Sequence, residues 1–159
     1  MNVILDRETL AAEGAGHKDE LRLWLRLLTC TTMIEATIRR RLRTQFGVTL
    51  PRFDLMAQLQ RAPAGMTLGE LSRRMMVSNG NVTGLIDRLV VAGEVERTPH
   101  PTDRRTTTVC LTPAGRRRFA TMAAAHGEWV AALFQDLPPG DMPALMAALG
   151  RVKRSVQAA

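Results

Sequence analysis

Residues 66–115 read MTLGELSRRMMVSNGNVTGLIDRLVVAGEVERTPHPTDRRTTTVCLTPAG, and the punctuation of this stretch decides the fold. Thr67 followed three residues later by Glu70 is a capping box, so a short helix opens there and runs to about Met76. Ser78 supplies a second N-cap. Val82, Leu85, Ile86, Leu89 and Val90 then form one apolar stripe of a helix that Gly93 closes. Two short capped helices three residues apart, the second with a polar outer face, predict a helix-turn-helix. The β-branched segments Glu94–Thr98 and Thr106–Leu111 flank the basic, proline-rich stretch Pro99–Arg105, which predicts a hairpin, or wing.

Working outward, apolar residues from Lys18 to about Phe46 (Trp24, Leu27, Leu28, Ile34, Ile38, Leu42) recur at three-and-four spacing and predict an amphipathic helix ended by Gly47. A second helix is expected over about Pro51–Arg61, with proline in its first turn. Thr112-Pro113 restarts a helix that runs to about Gln135, Leu137-Pro-Pro-Gly140 breaks it, and Asp141-Met-Pro143 opens a final one. Residues 1–17 read as a loosely ordered arm. The fold class is therefore mostly α with a small β-hairpin wing.

The 159 residues carry a formal net charge of +7, almost wholly through arginine, because Lys18 and Lys153 are the only lysines. Guanidinium presents a planar fork to phosphate oxygens and guanine edges, so the excess points toward nucleic acid or phosphorylated ligands. The coding bias of a GC-rich genome gives the same excess, and charge alone does not decide. Cys30 and Cys110 lack metal-ligand spacing and cannot form a disulfide framework, and no export signal or spanning apolar run is read. A cytoplasmic protein is expected, with no metal and no cofactor. His17, His100 and His126 are isolated, tyrosine is absent, and no nucleophile-elbow or phosphate-loop motif occurs, which argues against an enzyme.

Residues 66–115, with the helix-turn-helix, the Asp-Arg-Arg wing tip and the Leu-Thr-x-x-Gly entry to the next helix, resemble the multiple antibiotic resistance regulator (MarR) family. Helix order extends the resemblance to about residues 20–155. It implies a homodimer whose first and last two helices intertwine while two winged domains read a pseudo-palindromic operator. Residues 18–50 are then a dimerisation helix, 51–111 the winged DNA-binding domain and 112–159 the C-terminal dimerisation helices. It also implies repression, relieved by an anionic aromatic effector such as an aromatic acid or an aryl-coenzyme A thioester.

On a helical wheel the face opposite Val82, Leu85, Ile86 and Leu89 holds Gly80, Asn81, Thr83, Gly84, Asp87 and Arg88. Gly80 and Gly84 leave that face little bulk, so its backbone can approach a major groove closely. Asn79 and Asn81 suit adenine edges, Thr83 a thymine methyl or a phosphate, and Arg88 phosphate or guanine, with Ser78 at the cap. Arg104 and Arg105 at the wing tip suit a narrow minor groove, Asp87 and Asp103 are expected to orient the arginines, and Arg73 and Arg74 to clamp phosphates. For any one of these residues an ordinary solvated face is an alternative; their concentration on one helix favours DNA.

Arg39, Arg40, Arg41 and Arg43 form a second basic cluster. No acid follows Arg39 within four residues, so intrahelical pairing is not expected to neutralise it, and DNA, effector and solvent remain open as its partners. Trp24, Met33, Phe53, Met56 and Trp129, with His17, Arg22 and Arg26 as anion holders, are effector-site candidates, against core packing as the plainer role. Two other readings stand beside this one: a redox sensor using Cys30, against which the missing tyrosines and a small-core role for Cys30 argue, and a nonspecific DNA-binding winged-helix protein.

Overall fold

A computed structural model describes residues 17–99 and 107–158. The expected N-terminal arm before His17, and the wing tip with His100, Asp103, Arg104 and Arg105, lie outside the described residues. The elements are α1 (Lys18–Phe46), α2 (Leu50–Gln60), β1 (Met66–Thr67), α3 (Leu68–Met75), α4 (Asn79–Val91), β2 (Val95–Pro99), β3 (Thr107–Leu111), α5 (Pro113–Leu133) and α6 (Asp141–Ala158). The chain divides into two compact units, residues 1–125 and 126–159.

Local chemistry sets the helix ends. Gly47, at φ 64°, turns the chain out of α1 and donates its N–H to the Arg43 carbonyl. Pro51 sits in the first turn of α2, where its missing N–H costs nothing. At α3 the capping box forms in full. The Thr67 hydroxyl accepts from the Glu70 N–H, and the Glu70 carboxylate accepts from the Thr67 N–H at 2.8 Å and from its hydroxyl at 2.9 Å. Ser78 caps α4.

The three strands form an antiparallel sheet in the order β1-β3-β2, with Val95 opposite Leu111 and Pro99 opposite Thr107. The hairpin is as the β-branched runs predict; the two-residue β1, pairing Met66 with Val109, is an addition that no alternation in so short a segment signals. As the middle strand, β3 buries Thr108 as well as Val109 and Leu111, and the Thr108 hydroxyl is accommodated by Thr98 at 3.0 Å.

The core of the first unit is Leu42, Val48, Leu55, Met56, Leu59, Leu71, Val82, Ile86, Leu89 and Met122, all fully buried. Phe53 meets Phe119 of α5 with ring centroids 5.4 Å apart. The first turn of α5 lies directly on the chain that leaves α4: a Cβ added at Gly115 would stand 1.9 Å from the Glu94 carbonyl oxygen. In the second unit α6 buries no residue, yet Met142, Leu145, Met146, Leu149, Val152 and Val156 recur along it at helical spacing.

Two outcomes follow. Gly115→Ala drives a methyl group into the Glu94 backbone and should lower Tm by roughly 5–10 °C in a thermal melt followed by circular dichroism; a melt within a degree of wild type would contradict the close approach. The Thr67 N–H, then its hydroxyl, hold the Glu70 carboxyl below its ordinary value of about 4.5, with Arg73 and Arg74 adding to this at longer range against partial desolvation. A depressed carboxylate stabilises the fold above that ordinary value and loses its contribution as pH falls through the folded one. The stability difference between wild type and Glu70→Gln should therefore be flat above about pH 4.5 and shrink on acidification in urea titrations.

Candidate nucleic-acid interface

The α4 helix is held at both ends and along one side. Val82, Ile86 and Leu89 are buried, and the Ser78 hydroxyl oxygen accepts the Asn81 N–H. At its other end Gly93, at φ 69°, donates to the Val90 carbonyl, and Glu94 donates to the Leu89 carbonyl, both at 2.9 Å. What remains exposed is the face the sequence predicts: Asn79, Gly80, Asn81, Gly84, Asp87 and Arg88. A Cβ at Gly80 or Gly84 would meet nothing within 4 Å. Internal packing therefore does not require either glycine, and their small size matters only to something approaching from outside.

Thr83 departs from this pattern. It is half-buried and its hydroxyl donates to the Asn79 carbonyl at 2.9 Å, so its donor is already committed to the helix. Arg73 and Arg74 stand exposed in the last turn of α3, where a cation also complements the helix dipole. The turn between α3 and α4 passes through Met76 at φ 54°, a left-handed conformation that costs a non-glycine residue roughly 1–2 kcal/mol, and its side chain is 93% exposed. Val91, at the far end of α4, is 89% exposed.

Asp87 binds Arg97 of β2 and so orients an arginine at the base of the wing; the wing-tip pair that the sequence suggested for it lies outside the described residues. Arg97 was missed because in Glu94-Val-Glu-Arg it reads as an ordinary polar strand position. The expectation for Arg39 is corrected: Glu35, four residues before it, pairs with it, in the Glu-before-Arg orientation that favours such pairs. Arg40 and Arg43 of that cluster are exposed.

The effector-site candidates differ in exposure. Phe53 and Met56 are core residues, as is plain from their burial and from the Phe53–Phe119 contact, and Trp129 is buried as well. His17, Trp24, Arg26 and Met33 are exposed along α1, and Arg22 pairs loosely with Asp19 at 3.5 Å. Cys30, expected as a small core residue, is exposed and unbridged. A cavity of about 350 Å³ lies elsewhere, beside α4, between Pro51, Met75 and Val77 on one side and Gly80, Asn81, Gly84, Leu85 and Arg88 on the other. Among the described residues no cluster of histidine, cysteine and carboxylates is arranged to hold a metal, and no helix is long and apolar enough to cross a membrane.

A capped helix pair presenting a bare polar face, backed by a three-stranded sheet, defines a winged helix-turn-helix protein of the DNA-binding class. A family model described as the MarR family matches residues 46–106. The transcriptional activatory protein BadR of Rhodopseudomonas palustris is 36% identical over 125 residues, 76% of this chain and 71% of BadR. The chain belongs to the MarR family of transcriptional regulators, which are not enzymes. Among solved structures, a MarR family regulator from Silicibacter pomeroyi superposes with a TM-score of 0.76 at 33% identity, over 91% of this chain and 99% of its own. The fold is also that of Sco3205 from Streptomyces coelicolor, solved in complex with DNA (TM-score 0.76, 22% identity, 91% of each chain).

Filling the open glycine position should separate folding from recognition. Gly84→Ala is expected to raise stability by about 0.5–1 kcal/mol, because alanine is the better helix former. The same change should weaken operator binding by holding the backbone off the groove. Unchanged affinity in an anisotropy titration, beside a raised Tm, would defeat the close-approach reading.

Proposed function

We propose that the chain is a homodimeric repressor that sits on a pseudo-palindromic operator and is released by a small anionic aromatic effector. The observation that carries the reading is the α4 face itself: Asn79, Gly80, Asn81, Gly84 and Arg88 exposed together on a helix whose ends and opposite side are fixed. In this reading α4 enters the major groove, Asn79 and Asn81 read base edges, Arg73, Arg74 and Arg88 meet phosphate or guanine, and Arg104 and Arg105 enter the adjacent minor groove. Ser78 serves at the cap and Thr83 through its methyl group. Residues 18–50 and 112–159 serve dimerisation in this reading. Its support is apolar surface: the six-residue stripe on α6, and Leu21, Leu23, Trp24 and Met33 exposed on α1.

Release follows from overlap. The cavity beside α4 has apolar walls at Pro51, Met75, Val77 and Leu85, and Arg88 at its edge suits a carboxylate. Its lining shares Gly80, Asn81, Gly84 and Arg88 with the proposed DNA face, so ligand and operator compete for one surface. At about 350 Å³ it stands at the lower end of the 300–1,000 Å³ range of small-molecule sites, which favours an aromatic acid over the far larger aryl-coenzyme A thioester. Activation is a second reading, favoured by the name of BadR. It needs the same DNA face and differs only in where the operator lies relative to the promoter.

Purified protein should sediment as a dimer and prefer an inverted repeat near its own gene over random duplex by at least about a thousandfold at physiological salt. Arg88→Ala should weaken that binding by about tenfold and also blunt release by benzoate-like acids. In vitro transcription from the neighbouring promoter then distinguishes repression from activation. A monomer, or a dimer indifferent to every inverted repeat, would end the proposal.

A further inference from the structure

Glu94 follows the glycine that ends α4, and its side chain is 4% exposed. Its Oε2 accepts from Arg52 Nη2 of α2 at 2.7 Å, and Arg118 Nη1 of α5 stands 2.6 Å from its Oε1. Arg118 reaches further, donating through Nη2 to the carbonyl of Phe46, the last residue of α1, at 3.2 Å. The backbone repeats the pattern. The Glu94 carbonyl accepts the Thr112 N–H at 3.0 Å, the Thr112 hydroxyl donates to the Gly93 carbonyl at 2.7 Å, and Gly115 has no side chain where α5 crosses Glu94. One residue thus joins the end of the reading helix to α1, α2 and α5.

The geometry points to Glu94 and Arg118 as positioning residues for operator recognition. They touch no part of the proposed DNA face; they fix the angle at which α4 leaves α1 and α5. This rests on the homodimeric operator reading, in which α1 and α5 belong to the dimer frame. In such a dimer an angular error at each Glu94 appears twice in the distance between the two reading helices, so the clamp sets the half-site spacing the protein accepts. A second contact supports the assignment: Asp87 on α4 holds Arg97 on β2, and β2 begins at Val95, so the wing base turns with the same junction.

The test uses Arg118, whose side chain is 43% exposed and whose loss leaves Glu94 paired to Arg52. Wild type, Arg118→Met and Arg118→Lys are titrated against three duplexes that carry the inverted repeat at its native spacing or with one base pair added or removed between half-sites, and against a single half-site. The inference expects Arg118→Met to lose about tenfold on the native spacing, to stay within about threefold of wild type on the single half-site, and so to lose discrimination among spacings. Arg118→Lys, which keeps the charge beside Glu94, should recover most of it. If the methionine variant melts below the assay temperature, Arg118→Gln carries the same comparison. An equal loss on all four duplexes, as a purely structural role predicts, overturns the inference. So does wild-type discrimination by a folded Arg118→Met. Wild type preferring no inverted repeat overturns the operator reading itself, and this inference with it.

Discussion

A carboxylate removed from water must find its hydration replaced, and at Glu94 the replacement is two guanidinium groups from helices on either side. Such burial costs several kcal/mol per ion, and the attraction at these distances roughly repays it, so the net contribution to stability is small. The Arg52 Nε and the Glu94 Oε1, both buried without a hydrogen bond among the described residues although Arg118 lies within ion-pair distance of the latter, show that the repayment is incomplete. Breaking the arrangement is another matter: removing one partner of a buried pair costs about 3–5 kcal/mol, because the other charge is stranded. A contact that adds little to stability yet is expensive to rearrange constrains geometry. Here the geometry it constrains is where α4 ends and where β2, α2 and α5 stand around that point.

From that anchor the reading surface inherits its rigidity. The α4 helix begins at a side-chain cap, ends in a glycine turn whose next residue is the buried Glu94, and buries Val82, Ile86 and Leu89 between them. Val95 pairs with Leu111 immediately beyond Glu94, so the sheet starts from the same fixed residue. A surface held this way loses little conformational freedom when a partner binds, and more of its contact energy is available for affinity and selectivity. The absence of side-chain bulk at Gly80 and Gly84 has meaning only on a helix that cannot tilt away from its target.

What the sequence made legible is what is local. Thr67 with Glu70, Ser78, Pro51, Gly47 and Gly93 each act on backbone groups a few residues away, and the helices they bound appear where they predict. The exposed face of α4 was readable for the same reason, since helical periodicity assigns its two sides. What escaped depends on distance along the chain. Glu94 reads as one polar residue of an alternating strand, and its partners lie 42 and 24 positions away, at Arg52 and Arg118. The β1 segment is too short to show a period, and its partner strand is 40 residues downstream. Phe53 and Met56 were open to two readings because a helix shows the same apolar residues to a core or to a ligand, and only burial separates them. Arg39 escaped for a simpler reason, its partner Glu35 lying N-terminal to it.

The distribution of ion pairs also sorts the arginines, where a net charge of +7 could not. Arg22, Arg39, Arg52, Arg97 and Arg118 each lie beside a carboxylate. Asp87, the one acid on the exposed face of α4, is engaged by Arg97. Arg73, Arg74 and Arg88 have no carboxylate within ion-pair distance among the described residues; Glu70 acts on the first two at longer range, and its oxygens are committed to the Thr67 cap. The guanidinium groups flanking the bare face of α4 are thus left unneutralised, as are others along the chain, the exposed Arg40 and Arg43 of α1 among them. Like charges gathered on a rigid surface repel one another until a polyanion lies across them, and a phosphate backbone supplies that charge at a regular spacing.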